Sequence, residues 1–344
     1  MNYKQLIITL TLFFGVTAFS QTNGLISVTD FKVLQNSETS YSLIDLRKST
    51  KFEEGHIEGA INLWRTQIVD STLEFGGFRI SRDTLQALLS KHGVKSNDRI
   101  IIYDEKGDVD AARLWWMLSI YGHKNVALLN GGLTEWGLKN QSVTTDALPF
   151  KASIYEYPNK ADYSMMISLE EVKKAEKDAN TFILDTRCSD EFVGIIQKKG
   201  AYAKGRIPNS VLIDWACAIN YNTDRKFKSL DELKSIYNLD GIAKNHPIIT
   251  YCQSGVRSAH TTFVLTQLLE FTNVKNYDGS WIEWSYHSEL PIETGEIIAK
   301  QKSVEKGCSK NNNSDCQTKF YMIIGGILLV LLIVNLYFRR KNKV

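Results

Sequence analysis

Residues 251–258 read Tyr-Cys-Gln-Ser-Gly-Val-Arg-Ser. The apolar run Pro247-Ile248-Ile249-Thr250 leads into this stretch, and Ser258-Ala259-His260-Thr261-Thr262-Phe263-Val264-Leu265 leaves it with helical patterning. The spacing predicts a buried strand, a tight Gly-containing turn and a helix N-terminus, with Cys252 at the turn. That position suits a thiolate. The amides of a helix's first turn lack intrahelical partners and the helix dipole is positive there, so an anion on Cys252 is stabilised and its pKa falls. The same N–H groups, from Gln253 to Ser258, are placed to hold the extra, negatively charged sulfur of a persulfide. A buried structural cysteine is the alternative after an apolar strand. Gly255 and Arg257, both inside the loop, argue against it.

Working outward, the chain repeats itself at an offset of about 140 to 150 residues. Ser42-Leu43-Ile44-Asp45-Leu46-Arg47 answers Phe182-Ile183-Leu184-Asp185-Thr186-Arg187, and Gly55-His56-Ile57 answers Gly205-Arg206-Ile207. Ile101-Ile102-Tyr103-Asp104 answers Ile249-Thr250-Tyr251-Cys252, and Gly131 with Trp136 answers Gly279 with Trp284. Short apolar runs alternate with helical patterns at 82–92, 110–121, 169–178 and 230–237. This alternation predicts α/β layers around a mainly parallel sheet in each half. The polar stretch Asn140–Asp162, with Pro149 and Pro158, reads as the connector. At the place of Cys252 the first copy has Asp104, followed by Glu105, Asp108 and Asp110. A carboxylate cannot carry sulfane sulfur, so the first copy is expected to be catalytically silent and to complete a cleft over the second. Asp45, Arg47 and His56 are expected to maintain its fold.

On these residues the chain resembles the two-domain rhodanese family of sulfurtransferases over roughly residues 24–292. The resemblance implies two tandem rhodanese-like domains, each a mainly parallel sheet flanked by helices, at 24–139 and 163–292, with a linker at 140–162. It implies that Cys252 accepts sulfane sulfur on a six-residue loop, Cys252-Gln253-Ser254-Gly255-Val256-Arg257. Related phosphatases wrap an oxyanion in a loop one residue longer, closed by an arginine. Here Ser258 stands at that closing position, and the shorter ring suits a single sulfur atom. The resemblance also places Arg187 where a basic residue faces the donor, unless it pairs with Asp190 or Glu191. Arg257 either binds the donor or braces the turn against a carboxylate. Of the basic run Lys198, Lys199, Lys204 and Arg206, one or two are expected to reach the cleft.

The expected chemistry is covalent, with Cys252 attacking the outer sulfur of an anionic donor and passing that sulfur to cyanide, a thiol or a protein thiol. Thiosulfate is the donor implied first and 3-mercaptopyruvate its close rival, because Gln253-Ser254 lacks the charges of one family pattern and shares a serine with the other. A tethered sulfur carrier or partner-binding module without efficient small-molecule turnover is a further reading. His260 lies too far along its helix to act as general base. No cofactor is called for, and the scattered histidines and cysteines have no metal-binding spacing.

With 344 residues the chain has room for two domains with a sizeable core in each, and a net charge of +3 leaves no nucleic-acid footprint. Lys4, the apolar run 6–19 and Ala18-Phe19-Ser20 are expected to form a secretory signal over 1–20. After a polar juxtamembrane segment at 293–319, residues 320–338 contain an apolar run of about 18 residues, roughly 27 Å of helix. Tyrosines bracket this run and a basic tail at 339–344 follows it, as expected for a membrane helix with its tail in the cytoplasm and the domains exported. Five cysteines leave at least one unpaired, expected to be Cys252. Cys308 and Cys316 form a local disulfide, stay free or accept sulfur.

Overall fold

The computed structural model describes residues 24–146, 150–237 and 242–296. The first half runs β1 (Leu25–Ile26), α1 (Val28–Gln35), β2 (Tyr41–Asp45), α2 (Ser49–Glu54), β3 (Ala60–Asn62), α3 (Arg82–Lys91), β4 (Arg99–Tyr103), α4 (Val109–Tyr121), β5 (Val126–Leu129) and α5 (Gly132–Leu138). The second runs β6 (Met166–Ile167), α6 (Leu169–Ala175), β7 (Phe182–Asp185), α7 (Ser189–Phe192), β8 (Val211–Leu212), α8 (Leu230–Tyr237), β9 (Ile248–Tyr251), α9 (Val256–Phe263), β10 (Val274–Tyr277) and α10 (Ser280–Tyr286). The strand orders are β1-β5-β4-β2-β3 and β6-β10-β9-β7-β8, and every pairing within them is parallel. Parallel strands covered on both faces need continuous apolar runs, which is what Ile100-Ile101-Ile102 and Ile248-Ile249 provide. The α/β expectation holds in both halves. The expected secretory signal and membrane helix lie outside the described residues, among which no helix is long and apolar enough to cross a membrane.

The duplication extends to buried side chains. Arg47 donates from Nε to both oxygens of Asp45, at 3.1 and 3.0 Å, and from Nη2 to the Gly55 carbonyl at 2.6 Å. Arg187 repeats this with Asp185, at 2.9 and 3.0 Å, and with the Gly205 carbonyl at 2.8 Å. In the same way the amides of Ile57 and Ile207 donate to the hydroxyls of Tyr103 and Tyr251. Each tyrosine lies opposite its half's aspartate on the neighbouring strand. Each Asp–Arg pair ties the end of a central strand to the following loop, and it does so before any chemistry is involved. His56 is buried, its ring stacked on Phe52 at 3.6 Å, in keeping with a structural role.

One hydrophobic cluster runs continuously through both halves, from Ile44, Leu85 and Trp116 to Leu184, Phe227 and Phe263. Separate smaller clusters cover the outer face of each sheet. The sizeable core expected in each half is thus joined to that of its neighbour. The cause is α4, which is buried along its whole length and mostly apolar, with Arg113 and Asp110 as its buried charges. It packs on α9, with Trp115 edge-on to Phe263 at 4.9 Å. The connector is also less polar in its setting than in its composition, since Tyr155 and Tyr157 are buried and the Tyr155 hydroxyl meets His123 Nδ1 at 2.9 Å.

Charge crosses the same boundary. Asp278, after β10, accepts from Arg79 Nη1 at 2.7 Å and from Arg113 Nη2, on α4, at 2.5 Å. Arg113 and Asp278 are almost wholly buried. Removing one member of such a pair leaves an uncompensated buried charge, at a cost of about 3–5 kcal/mol. Asp278→Asn is therefore expected to lower the urea midpoint of the whole chain in one transition, followed by tryptophan fluorescence. A separate early transition, or an unchanged midpoint, would contradict a single shared core.

Candidate active site

Cys252 follows β9 directly, at the carboxyl end of a strand flanked by β7 and β10, where the crevice of an open parallel sheet lies. It is 1% exposed yet forms part of the wall of a cavity of about 190 Å³. That cavity lies between the halves: the second contributes Cys252, Gln253, Ser254, Val256, Arg257, Lys198 and Asp214, and the first contributes Arg65, Lys106 and Asp110. The expected interdomain cleft is present.

The loop is shaped by backbone needs. Gly255 precedes α9 with φ of +75°. A Cβ there would lie 2.7 Å from the Asp278 carbonyl and 2.8 Å from Arg113 Nη1, so only glycine fits. Its carbonyl accepts from Arg113 Nη1 at 3.3 Å and from Asn276 Nδ2 at 3.1 Å. Ser280, itself left-handed at φ +51°, places its Oγ to accept from the amides of Cys252 (3.1 Å) and Gly255 (3.0 Å). These two amides therefore point away from the sulfur. Within the expected run from Gln253 to Ser258, the Gly255 amide is thus committed elsewhere, and the groups that meet the Cys252 sulfur include the amides of Ser254 and Ser258 and the Ser258 hydroxyl.

Burial alone pushes the Cys252 thiol up, but the Arg257 guanidinium and the hydrogen bonds from Ser258 and Ser254 outweigh it, and the net pKa is lowered. Arg257 takes the bracing role, against a carboxylate. It lines the cavity beside the thiol and is braced by both Glu191 oxygens, at 2.8 and 3.0 Å. The carboxyl of Glu191 is buried, yet Arg257 holds it down to about 2. Arg187 is different. It is buried against Asp185, with its guanidinium 4.7 Å over the Trp281 ring, and it is not on the cavity wall. The donor-facing role expected for Arg187 is not met, and its partner is Asp185 rather than Asp190 or Glu191. Of the basic run only Lys198 reaches the cavity; Arg206 turns to the Phe192 carbonyl and Glu293. His260 is buried and donates from Nε2 to the Gly107 carbonyl of the other half at 3.1 Å, and burial lowers its pKa to about 3, so it stays neutral. Cys252 is the free cysteine among the described residues, Cys188 and Cys217 being disulfide-bonded; Cys308 and Cys316 lie outside them.

The corresponding loop of the first half is sealed. The Asp104 carboxylate accepts from the amides of Lys106 (2.7 Å), Asp108 (2.9 Å), Asp110 (2.9 Å) and Ala111 (3.4 Å). An anion of the chain's own occupies the place where the second half keeps a thiol. Burial, reinforced by Asp110, raises this carboxyl to about 6 against the pull of the amides.

Against this geometry stand the comparisons with known proteins. The rhodanese-like domain family matches residues 27–139 and 168–287. The chain belongs to the rhodanese family. A relative named thiosulfate sulfurtransferase from Corynebacterium glutamicum is 30% identical over 265 residues, covering 74% of this chain and 85% of the relative. A relative from Thermus thermophilus named sulfur carrier protein TtuD is 33% identical over 256 residues, covering 71% and 87%. Among solved structures, wild-type EanB aligns with a TM-score of 0.71 at 20% identity, over 80% of this chain and 70% of that one. YnjE aligns with a TM-score of 0.71 at 23% identity, over 81% and 70%. These two share the fold.

Sequence reasoning missed several members of this rhodanese site: Glu191, Asp214, Ser280, Arg65 and Lys106. Ser280 had a signal, because it stands one place after Gly279 where the first copy has Gly132 after Gly131. A serine replacing glycine at a left-handed position costs about 1 kcal/mol, which calls for a local return. For Arg65 and Lys106 no local signal exists.

Two measurements separate these roles. Arg187→Met is expected to lose about 3 kcal/mol of stability in urea, as for a broken buried pair, with little change in the donor KM of the folded fraction. Alkylation of Cys252 by iodoacetamide is expected to rise with pH and level off below the ~8.5 of an ordinary thiol. Since Arg257 favours the thiolate, Arg257→Gln should move that inflection upward.

Proposed function

We propose that this protein moves sulfane sulfur from a small anionic donor of the thiosulfate type, through a persulfide on Cys252, to cyanide or a thiol. The activity is sulfur transfer. The single observation that carries the reading is a free cysteine at the cavity wall whose pKa is lowered by Arg257, Ser258 and Ser254. The thiolate attacks the outer sulfur of thiosulfate, the S–S bond breaks, and sulfite leaves with the bonding pair. Cys252 then carries one extra sulfur as a persulfide anion. Cyanide attacks that outer sulfur, thiocyanate departs, and the thiolate returns. Neither step requires a proton, in accord with a neutral, buried His260. The two half-reactions give ping-pong kinetics.

3-Mercaptopyruvate is the rival donor, since Gln253-Ser254 adds no charge beside the thiol; a steady-state comparison of the two donors decides. A second reading, delivery of sulfur to a partner protein thiol without fast small-molecule turnover, is favoured by the similarity to the relative named a sulfur carrier protein. The first half acts as a silent cover whose own loop is filled by Asp104. The hydropathy of 1–20 and 320–338 supports an exported, membrane-tethered enzyme with its 339–344 tail in the cytoplasm; recovery of the chain from washed membranes in detergent, but not in high salt, tests this.

Incubation with thiosulfate followed by intact-mass measurement is expected to add one sulfur atom, removable by cyanide with release of thiocyanate. Cys252→Ser should gain none. Transfer that survives in that variant would overturn the assignment, and a stable persulfide with no thiocyanate would select the carrier reading.

A further inference from the structure

On the second half, the positive charge at the cavity is already matched. Arg257 gives both terminal nitrogens to Glu191, and Lys198 lies 3.3 Å from the same carboxylate. Asp214 adds another acid to the wall. An anionic donor approaching a thiolate from that side meets no surplus of positive charge. The first half differs. Arg65 pairs with Asp110 of the same wall at 3.4 Å but is 45% exposed and free to reorient, while Lys106 is exposed and forms no ion pair among the described residues, so this half carries the surplus positive charge. Both line the cavity that contains Cys252.

The position of Lys106 is fixed by what surrounds it. Its own amide is held by the Asp104 carboxylate at 2.7 Å. The next carbonyl, that of Gly107, accepts from His260 on α9. A Cβ on Gly107 would lie 2.1 Å from Ile219 Cδ1 of the second half, so this loop is pressed against the catalytic half and not free to withdraw. The sealed loop of the silent copy thus presents a cation to the working copy.

We propose that Arg65 and Lys106 are the donor-docking residues of this enzyme. They hold the charged end of a small anion bearing sulfane sulfur while its outer sulfur faces Cys252. This rests on the sulfur-transfer reading above and deepens it, because it assigns donor recognition to the half that has no nucleophile. It also explains why the second half can afford to neutralise Arg257 with Glu191: that guanidinium serves the thiolate, and donor attraction is supplied from across the cleft.

The test is rapid-quench intact-mass measurement of sulfur adducts on Cys252 in the full chain with two donors: thiosulfate, which leaves a persulfide as sulfite departs, and an uncharged organic trisulfide, which leaves a mixed disulfide or trisulfide as the other half departs as a persulfide or thiolate anion. Partly exposed charges of this kind contribute up to about 1 kcal/mol each, which converts to about fivefold. Lys106→Gln and Arg65→Gln are each expected to raise the half-saturating thiosulfate concentration about fivefold, and the double variant about twenty-fivefold, by the same estimate. The rate at saturation and the rate with the trisulfide should hold within about twofold, the effect should shrink with added salt, and Lys106→Arg should restore thiosulfate binding. An unchanged half-saturation in the double variant, with normal persulfide formation in the parent chain, overturns this proposal alone. Equal losses with the neutral trisulfide would also overturn it, showing a general disturbance of the cleft. If the parent chain gains no sulfur from either donor, the sulfur-transfer reading falls and this proposal falls with it.

Discussion

Arg113 is the residue on which the arrangement turns. From α4 of the first half it reaches Asp278 and the Gly255 carbonyl of the second, and also the Gly77 carbonyl of its own half. A guanidinium buried this fully needs partners within the protein, and those its two terminal nitrogens find include the parts that set the catalytic loop. Gly255 fixes where α9 begins, and Asp278 leads into Ser280, which receives the amides of Cys252 and Gly255. Separating the halves would strand the charge and release the loop together. The pairing of the two copies is therefore part of the site itself, and the continuous core around Trp115 and Phe263 adds apolar burial in the same direction.

Within that frame one scaffold is built twice and used differently. Asp45–Arg47–Tyr103 and Asp185–Arg187–Tyr251 make the same bonds. What diverges is the segment after the tyrosine. In the first copy α4 begins five residues after Asp104, and in the second α9 begins four after Cys252. The longer turn lets a carboxylate fold back onto four amides, while the shorter one leaves a thiol facing a cavity. A loop whose amides are already taken by Asp104 has no free donors to offer an incoming anion. The first copy's shared fold places Arg65, Lys106 and Asp110 on the wall of the Cys252 cavity.

What could be read from the sequence was local or repetitive. The Cys252 turn, the helices at 82–91 and 230–237 and the alternation that gives two parallel sheets all rest on neighbours along the chain. The repeat placed Asp104 opposite Cys252 without any structure. Pairings across the boundary were not legible, since Arg113 and Asp278 are 165 residues apart and each looks ordinary where it stands. Arg187 shows a subtler failure. A basic residue two places after a strand-end aspartate suits a donor site and a buried brace equally well in sequence, and the choice was settled by the Gly205 carbonyl and the Trp281 ring, which close around it. The matching behaviour of Arg47 in the silent copy was the one available clue, because a residue retained where there is no chemistry is retained for structure.

The distribution of charge around Cys252 also has a kinetic logic. A thiolate needs a cation close by, but every other species in the cycle is anionic as well: the donor, the persulfide and the departing sulfite. A strong unmatched cation at the thiol would retain the leaving anion and slow release. Glu191 prevents this by holding Arg257 at both terminal nitrogens, so the guanidinium can stabilise the sulfur without forming a deep well for oxyanions. Asp214, which burial raises to about 6 against the pull of the Ala216 amide and Arg257, adds a carboxyl on the same side that becomes more negative as the pH rises through about 6. Attraction is then strongest at the first-half rim, where Arg65 and Lys106 are solvated and screened. An anion is drawn in at the mouth, reacts at a nearly balanced centre, and its product meets no trap on the way out.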